Sequence, residues 1–349
     1  MSAPTNPKDT VFDVKDKNTS KKVLRVGIVG AGLMGGWHAV AAKRSGGKIA
    51  AIADINQFHL RNLHAKYPQA QIFSDAARMI EQSPLDVLHI CSPLASHYEI
   101  AGIAAEKKIN VLIEKPLAPT ADETLSLYDS AAKNNVRLCP VHQFVFQRSV
   151  AKAKKLLPQI GQILHLQATI CSAGGDGRTQ NNLGEISNEM LPHPLSLIQP
   201  FFKEPLIEKN FNVFSTDIGE LRITGHAEEI SLSILISLKA RPTLNSFQLF
   251  GTSGTIYLDL FHDFAFIESG KVSRMRKVRH PFDFSVKMFF TAFHNLIGRS
   301  FRFETAYPGL QNLIGCFYQS VRENSEPPIT STQAINIARV RDFIINQRP

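Results

Sequence analysis

At 349 residues, the chain is long enough to bury a large core and exceeds what one domain usually holds. With 44% hydrophobic and 20% charged residues and no run of about 18 apolar ones, it reads as a globular protein without a transmembrane helix. Its net charge of +9 suits anionic small molecules, nucleotides or a membrane surface, while dispersed basic residues and the lack of a recognisable module exclude nucleic acid as the expected partner.

Residues 1–22 lack the apolar centre of a signal peptide and read as a disordered, solvated tail. Residues 23–29 are a short, β-branched apolar run of the kind that forms a buried parallel strand. Gly30, Gly32 and Gly35 follow in G-x-G-x-x-G spacing, and His38 to Ala42 continue as a helix. In this context the first glycine allows a tight turn, the second lets backbone approach a pyrophosphate, and the third lets helix and strand pack closely. The free N–H groups that open the helix, at Leu33 and Met34, then face the phosphates. A second strand over 48–53 ends in Asp54, nineteen residues past Gly35, where a carboxylate can accept from an adenosine ribose diol. Asp54 would repel a 2′-phosphate, so NAD is expected over NADP, with Arg61 and Lys66 as the compensating cations available.

Helices over 57–66 and 75–82 flank a short strand at 71–73, and 86–91 is an apolar strand ending in Ser92-Pro93. A helix over 96–107, a strand over 110–113, the tripeptide Glu114-Lys115-Pro116, a helix over 120–134 and a strand over 137–141 complete the first half. Repeated βαβ units predict an α/β fold, a Rossmann-type doubly wound parallel sheet over 23–142. Ligands sit beyond the C-terminal strand ends of such sheets, so Gly30, Ser92, Lys115 and His142 should share one rim.

Residues 143–330 change character. Strands are predicted over 163–171, 210–215, 221–226, 230–238, 246–250, 255–260 and 264–268, many with period-two alternation: Ile230, Leu232, Ile234 and Ile236 face one way, and Ser231, Ser233 and Ser237 the other. The expectation is an α+β domain with a mostly antiparallel sheet, one face on a core and the other free for helices, solvent or a second subunit. Residues 172–188 read as a polar, glycine-rich loop, too long for a mere connection, that leads into His193 and a helix near Pro194. Over 282–301, at ~100° per residue, Val286, Phe289, Phe290, Phe293, Leu296 and Ile297 gather on one side of a helix and Lys287, Thr291, His294 and Arg299 on the other. A basic run with Lys271, Arg274, Arg276, Lys277 and Arg279 precedes it. Packing on the chain's own core is expected first, an oligomer interface second and an anionic membrane surface third. A last helix starts after Thr330, whose capping box Gln333 completes, and closes 331–349 onto the domains.

The runs IVGAGLMG, ADIN, ICSPLASHYEIA and VLIEKPLAPTADET, in this order and spacing, closely resemble the glucose-fructose oxidoreductase, inositol dehydrogenase and rhizopine-catabolism (Gfo/Idh/MocA) family over residues 23 to about 150. LFGTSGTIYLDL and the terminal helix are similar to that family's open-faced sheet domain and its closing segment. The resemblance implies a two-domain oxidoreductase on sugars, cyclitols or related polyols, with the nicotinamide held between domains. It implies Lys115 as the general acid–base group, exchanging a proton with a carbinol oxygen as hydride moves, at a pKa lowered by burial. Ser92, Pro93 and Glu114 would line the cofactor, and the Lys115-Pro116 bond is a candidate for cis.

The family's second catalytic element, an Asp four residues before a His at the start of a helix, is matched by Glu189 and His193. Leu191 stands where the family has a small residue, and no acidic residue follows the His. A helix N-terminus would favour the neutral imidazole. Gln143 keeps the amide that the family carries after the last strand, for a substrate hydroxyl or the cofactor carboxamide, while Val145 replaces its Arg. His97 matches a family His that either caps and packs or touches the cofactor.

The expected activity is NAD-dependent hydride transfer on a carbinol or ketone of a sugar, cyclitol or sugar derivative. Cys91, Cys139, Cys171 and Cys316 lack the paired spacing of a zinc site or redox motif, so no metal and a cytoplasmic setting are expected. A homodimer or homotetramer through the second sheet is expected as well. The altered Glu189 and His193 pair keeps a redox-neutral, NAD-using hydrolase or lyase open. An NAD-binding sensor or partner subunit is the non-enzymatic alternative.

Overall fold

A computed structural model describes residues 22–347, apart from 178–179, 216–218, 272, 303 and 305. The tail expected over 1–22 lies, except for its last residue, outside the described residues. Six strands, β1 (Leu24–Val29), β2 (Gly47–Ala53), β3 (Gln71–Phe73), β4 (Val87–Ile90), β5 (Asn110–Ile113) and β6 (Leu138–Pro140), form a sheet in the order β3-β2-β1-β4-β5-β6. Every pairing in it is parallel. The crossovers α1 (Leu33–Arg44), α2 (Gln57–Lys66), α3 (Ala76–Gln82), α4 (His97–Glu106) and α5 (Ala121–Lys133) cover its faces, which is why Val26, Ile28, Leu88 and Ile90 are fully buried. Side chains supplied just upstream start three of these helices, α2, α3 and α5. Asn56 accepts from Phe58 N at 2.9 Å, Asp75 accepts from Arg78 N at 2.7 Å, and Thr120 with Glu123 forms a capping box ahead of α5.

After α6 (Arg148–Leu156) the chain enters a second sheet. Its strands are β7 (Ile163–Cys171), β8 (Phe211–Phe214), β9 (Glu220–Ala227), β10 (Ile230–Ser237), β11 (Leu244–Gly251), β12 (Gly254–Asp259) and β13 (Phe264–Ser269), in the order β13-β12-β11-β7-β10-β9-β8. The sheet is mixed: β7 and β10 run parallel and every other pair is antiparallel. Leu166, Ala168, Leu232, Ile234, Phe247 and Leu249 fill its inner face. The outer face is polar around β7 and β10, where the His165 ring lies between the hydroxyls of Ser231 (2.8 Å) and Ser233 (3.0 Å).

Two sequence expectations are corrected here. Within the segment expected as a loop over 172–188, the chain forms α7 (Gln180–Met190), followed by α8 (Pro192–Ile198) with only Leu191 between them. Leu183, Ser187 and Met190 sit at i, i+4 and i+7, so a face for packing existed under the polar composition. The amphipathic stretch, in turn, does not pack its apolar side on the core. The basic run and that stretch form one helix, α9 (Arg274–Phe301), of which no residue is buried. Periodicity shows that a helix has two faces; which one meets the sheet depends on what the sheet offers, and β13 offers the carboxylate of Glu268.

The chain then returns to the first sheet. From α10 (Leu310–Glu323), Leu313, Ile314, Phe317 and Tyr318 are buried in the same core as β1 and β4. The last helix, α11 (Ser331–Asn346), begins at the predicted Thr330–Gln333 capping box and spans both cores, with Ala334 in the first and Ile337, Val340 and Ile344 in the second. Arg341 fastens it to the loop ahead of α5 by donating to the carbonyls of Ala118 (3.0 Å) and Pro119 (2.5 Å).

Candidate active site

The glycine-rich turn connects β1 to α1. Gly30 has φ +86°, and a Cβ there would meet the backbone of Cys91 at 2.6 Å; at Gly35 it would meet the Gly30 carbonyl oxygen at 1.8 Å. These two positions therefore hold strand, turn and helix together. A Cβ at Gly32 would meet nothing within 4 Å, so the N-terminus of α1, with Gly32 as its cap and no side chain over it, opens onto free space. That is a cradle with room for a pyrophosphate beside the N–H groups of Leu33 and Met34. Asp54 closes the turn from β2, accepting from Ala31 N at 2.6 Å and Asn56 N at 2.7 Å. Beside it Ile55 is 90% exposed, an apolar surface at this rim that sequence reasoning passed over, although its place after the acidic residue was the available signal.

At the end of β4, Ser92 shares a hydrogen bond with Ser96 at 2.7 Å. His97 is buried, with one ring nitrogen 2.8 Å from the Ser92 carbonyl and the other 2.9 Å from the Pro116 carbonyl. Both nitrogens face main chain, so His97 ties two strand-end loops together.

Lys115 follows β5, and its bond to Pro116 is cis. Its Nζ donates to the main-chain carbonyl of Glu189 at 3.1 Å. Burial lowers the pKa of this amine, the carboxylates of Glu114 and Glu189 oppose the shift, and the result stays below the ordinary lysine value. Among the described residues the Glu189 carboxylate has no hydrogen bond or ion pair to His193 or Lys115, although Leu191, between α7 and α8, keeps helical dihedrals. His193 lies in the first turn of α8, its ring 4.5 Å from that of Phe144, and burial together with Lys115 and His142 keeps it neutral, well below the ordinary histidine value. His142, after β6, is lowered to about 3 by burial, with Lys115 adding to the shift. Four buried polar atoms in these segments have no partner: His142 Nδ1, Gln143 Oε1, Asn188 Oδ1 and His193 Nδ1. Unpaired polar groups in a site this dry fit a ligand rich in hydroxyl or amide groups. Asn188, which no sequence pattern marked, joins the set.

Behind Lys115 runs a buried chain that the sequence did not reveal. Glu114 Oε1 lies 3.1 Å from His38 Nε2, His38 Nδ1 lies 3.0 Å from His89 Nδ1, and Tyr318 OH lies 2.9 Å from His89 Nε2. Burial raises the Glu114 pKa, but His38 and Lys115 outweigh it and leave the carboxylate below its ordinary value. An ionised Glu114 beside the amine thus favours the protonated lysine, against desolvation.

The glycine turn, the strand-end lysine and the parallel sheet agree with comparisons to known proteins. Residues 24–142 match the GFO_IDH_MocA model, described as an oxidoreductase family with an NAD-binding Rossmann fold. This segment belongs to the Gfo/Idh/MocA family. Inositol 2-dehydrogenase 4 of Saccharopolyspora erythraea is 34% identical over 124 residues, 35% of this chain and 37% of that protein. The levoglucosan dehydrogenase of Pseudarthrobacter phenanthrenivorans is 30% identical over 161 residues, 42% of this chain and 40% of that protein. The matched segments thus span under half the length of these relatives. A solved levoglucosan dehydrogenase, in complex with NADH and levoglucosan, superposes with a TM-score of 0.73 over 93% of this chain and 97% of that one at 18% identity. Both sheets therefore follow the fold of that structure.

Proposed function

We propose that the chain is an NAD-dependent oxidoreductase that moves a hydride between nicotinamide and a carbinol or ketone of a sugar, cyclitol or sugar derivative. The observation that carries this reading is Lys115: an amine shifted toward its neutral form, on the same rim as the glycine cradle, among segments with four unpartnered polar atoms. The dehydrogenases matched by its first half support the substrate class. NAD, when bound, supplies the hydride donor or acceptor. Gly30, Gly32, Leu33, Met34 and Gly35 would hold its pyrophosphate and Asp54 its ribose diol, with Ser92, Pro93 and Glu114 lining the site beside Lys115. Gln143 would take the carboxamide or a substrate hydroxyl. Lys115 Nζ leaves the Glu189 carbonyl to give or take the carbinol proton, and neutral His193 accepts a hydrogen bond from a neighbouring hydroxyl at Nδ1. The free thiols Cys91, Cys139, Cys171 and Cys316 support a cytoplasmic setting, and the polar outer face around β7 and β10 supports self-association there, which light scattering over a concentration series checks.

A screen of sugars and nucleotide sugars, read at the nicotinamide absorbance band, tests the activity. Substrate conversion without net absorbance change would instead favour the redox-neutral hydrolase or lyase that the unformed Glu189–His193 relay keeps in view. In fluorescence titrations NADH is expected to bind more tightly than NADPH, because Asp54 repels a 2′-phosphate; equal or tighter NADPH binding removes that role from Asp54. The pH profile carries a sign. Glu114 raises the Lys115 pKa, so Glu114→Gln is expected to move the lysine-dependent limb of kcat/KM to lower pH; no shift, or a rise, would uncouple the two groups.

A further inference from the structure

The side of α9 that meets the sheet is the polar one. Glu268 on β13 takes Lys287 at 2.8 Å and Arg276 at 3.0 Å, and the His262 carbonyl accepts from Asn295 at 2.6 Å and Arg299 at 2.9 Å. Among the described residues only Phe284 adds an aromatic anchor to the sheet, 5.2 Å from Phe266 and 5.4 Å from Tyr257 between ring centres. This leaves the opposite face to the outside. Phe282, Val286, Phe289, Phe290, Phe293 and Leu296 are all exposed, Phe289 by 62% and Phe282 by 72%. At about 1.5 Å per residue this face, from Phe282 to Leu296, extends along roughly 20 Å. Patches of this kind on a globular surface mark a contact.

Charge selects the occupant. Residues 271–302 hold eight lysines and arginines against the single acid Asp283, so this one segment carries most of the chain's net +9. Among the described residues, Arg274, Lys277 and Arg279 make no ion pair. Two copies meeting through this face would bring the same cations together with only Asp283 to offset them. An anionic surface suits both features: aromatic side chains enter the boundary between headgroups and acyl chains while cations meet the phosphates.

We propose that α9 lies in the surface of an anionic phospholipid bilayer, docking the enzyme to the membrane through its Phe-rich face. The helix lies on the bilayer and does not cross it; no helix among the described residues is long and apolar enough to span. Cosedimentation of the full chain with vesicles tests this. Equimolar phosphatidylglycerol and phosphatidylcholine should pellet the protein at low salt, and phosphatidylcholine alone, or high salt, should release it. Phe289→Ser with Phe293→Ser should abolish pelleting at an unchanged melting temperature, because neither ring is part of a core. Lys277→Glu with Arg279→Glu should weaken partitioning roughly tenfold or more. Failure to pellet with anionic vesicles overturns the proposal. A dimer in light scattering that the double Phe variant dissolves, without any vesicle binding, overturns it in favour of a second copy, and equal pelleting with neutral lipid or at high salt overturns the electrostatic half.

Discussion

Lys115→Met is expected to lower turnover by ~10²- to 10⁴-fold while leaving NADH affinity within a few-fold, the range that general acid–base help supplies. Methionine keeps the length and apolar stem of the side chain but cannot exchange a proton. The amine it replaces is held in a dry setting, its one hydrogen bond running to the Glu189 carbonyl, so the substitution leaves a single main-chain acceptor without its donor. Steady-state rates on the substrate found by screening, with NADH titration in parallel, check this. Unchanged turnover would remove Lys115 from the chemistry, whereas loss of NADH binding would recast it as a cofactor ligand.

Gly35→Ala is expected to be the most damaging single methyl in the first domain. Its Cβ would stand 1.8 Å from the Gly30 carbonyl oxygen, so helix and turn must separate, at about 1–3 kcal/mol in stability. The separated turn no longer aims its N–H groups at a pyrophosphate, and since each hydrogen bond to a charged group contributes ~1.5–3 kcal/mol, NADH affinity should fall by tenfold or more. Gly32→Ala is the informative control. It adds a Cβ that meets no protein atom, so the melting temperature should hold while NADH affinity still drops. A Gly32→Ala protein with full affinity would place the pyrophosphate elsewhere.

Local pattern made much of this legible. Strands of period two or of continuous β-branched residues, the G-x-G-x-x-G turn and the Glu114-Lys115-Pro116 strand end all announce themselves within a few residues, because the physics that shapes them is short-range. The capping box at Thr330 and Gln333 belongs to the same class. What escaped depends on partners far along the chain. The seat of α10 on the first sheet, the His38–His89–Tyr318 chain behind Glu114, and the side of α9 turned to Glu268 are each decided by contacts between distant segments. The Glu189–His193 spacing fixes only where the two backbones stand; which groups their side chains meet depends on neighbours such as Phe144, whose ring lies 4.5 Å from that of His193.

The return of α10 to the first sheet bears on how the chain is made. Strands β1 to β6 leave the ribosome first, yet the side chains that fill their core beside β1 and β4, Leu313 to Tyr318, come more than 160 residues after Phe146. At ~5–20 residues per second of synthesis, the half-built nucleotide domain waits on the order of 10–30 s with an apolar seat open, while the whole second sheet is being translated. His89 meanwhile lacks the hydroxyl that Tyr318 will bring. The domain that emerges first is thus completed among the last, and until then the open seat beside β1 and β4 is a surface for a chaperone to guard.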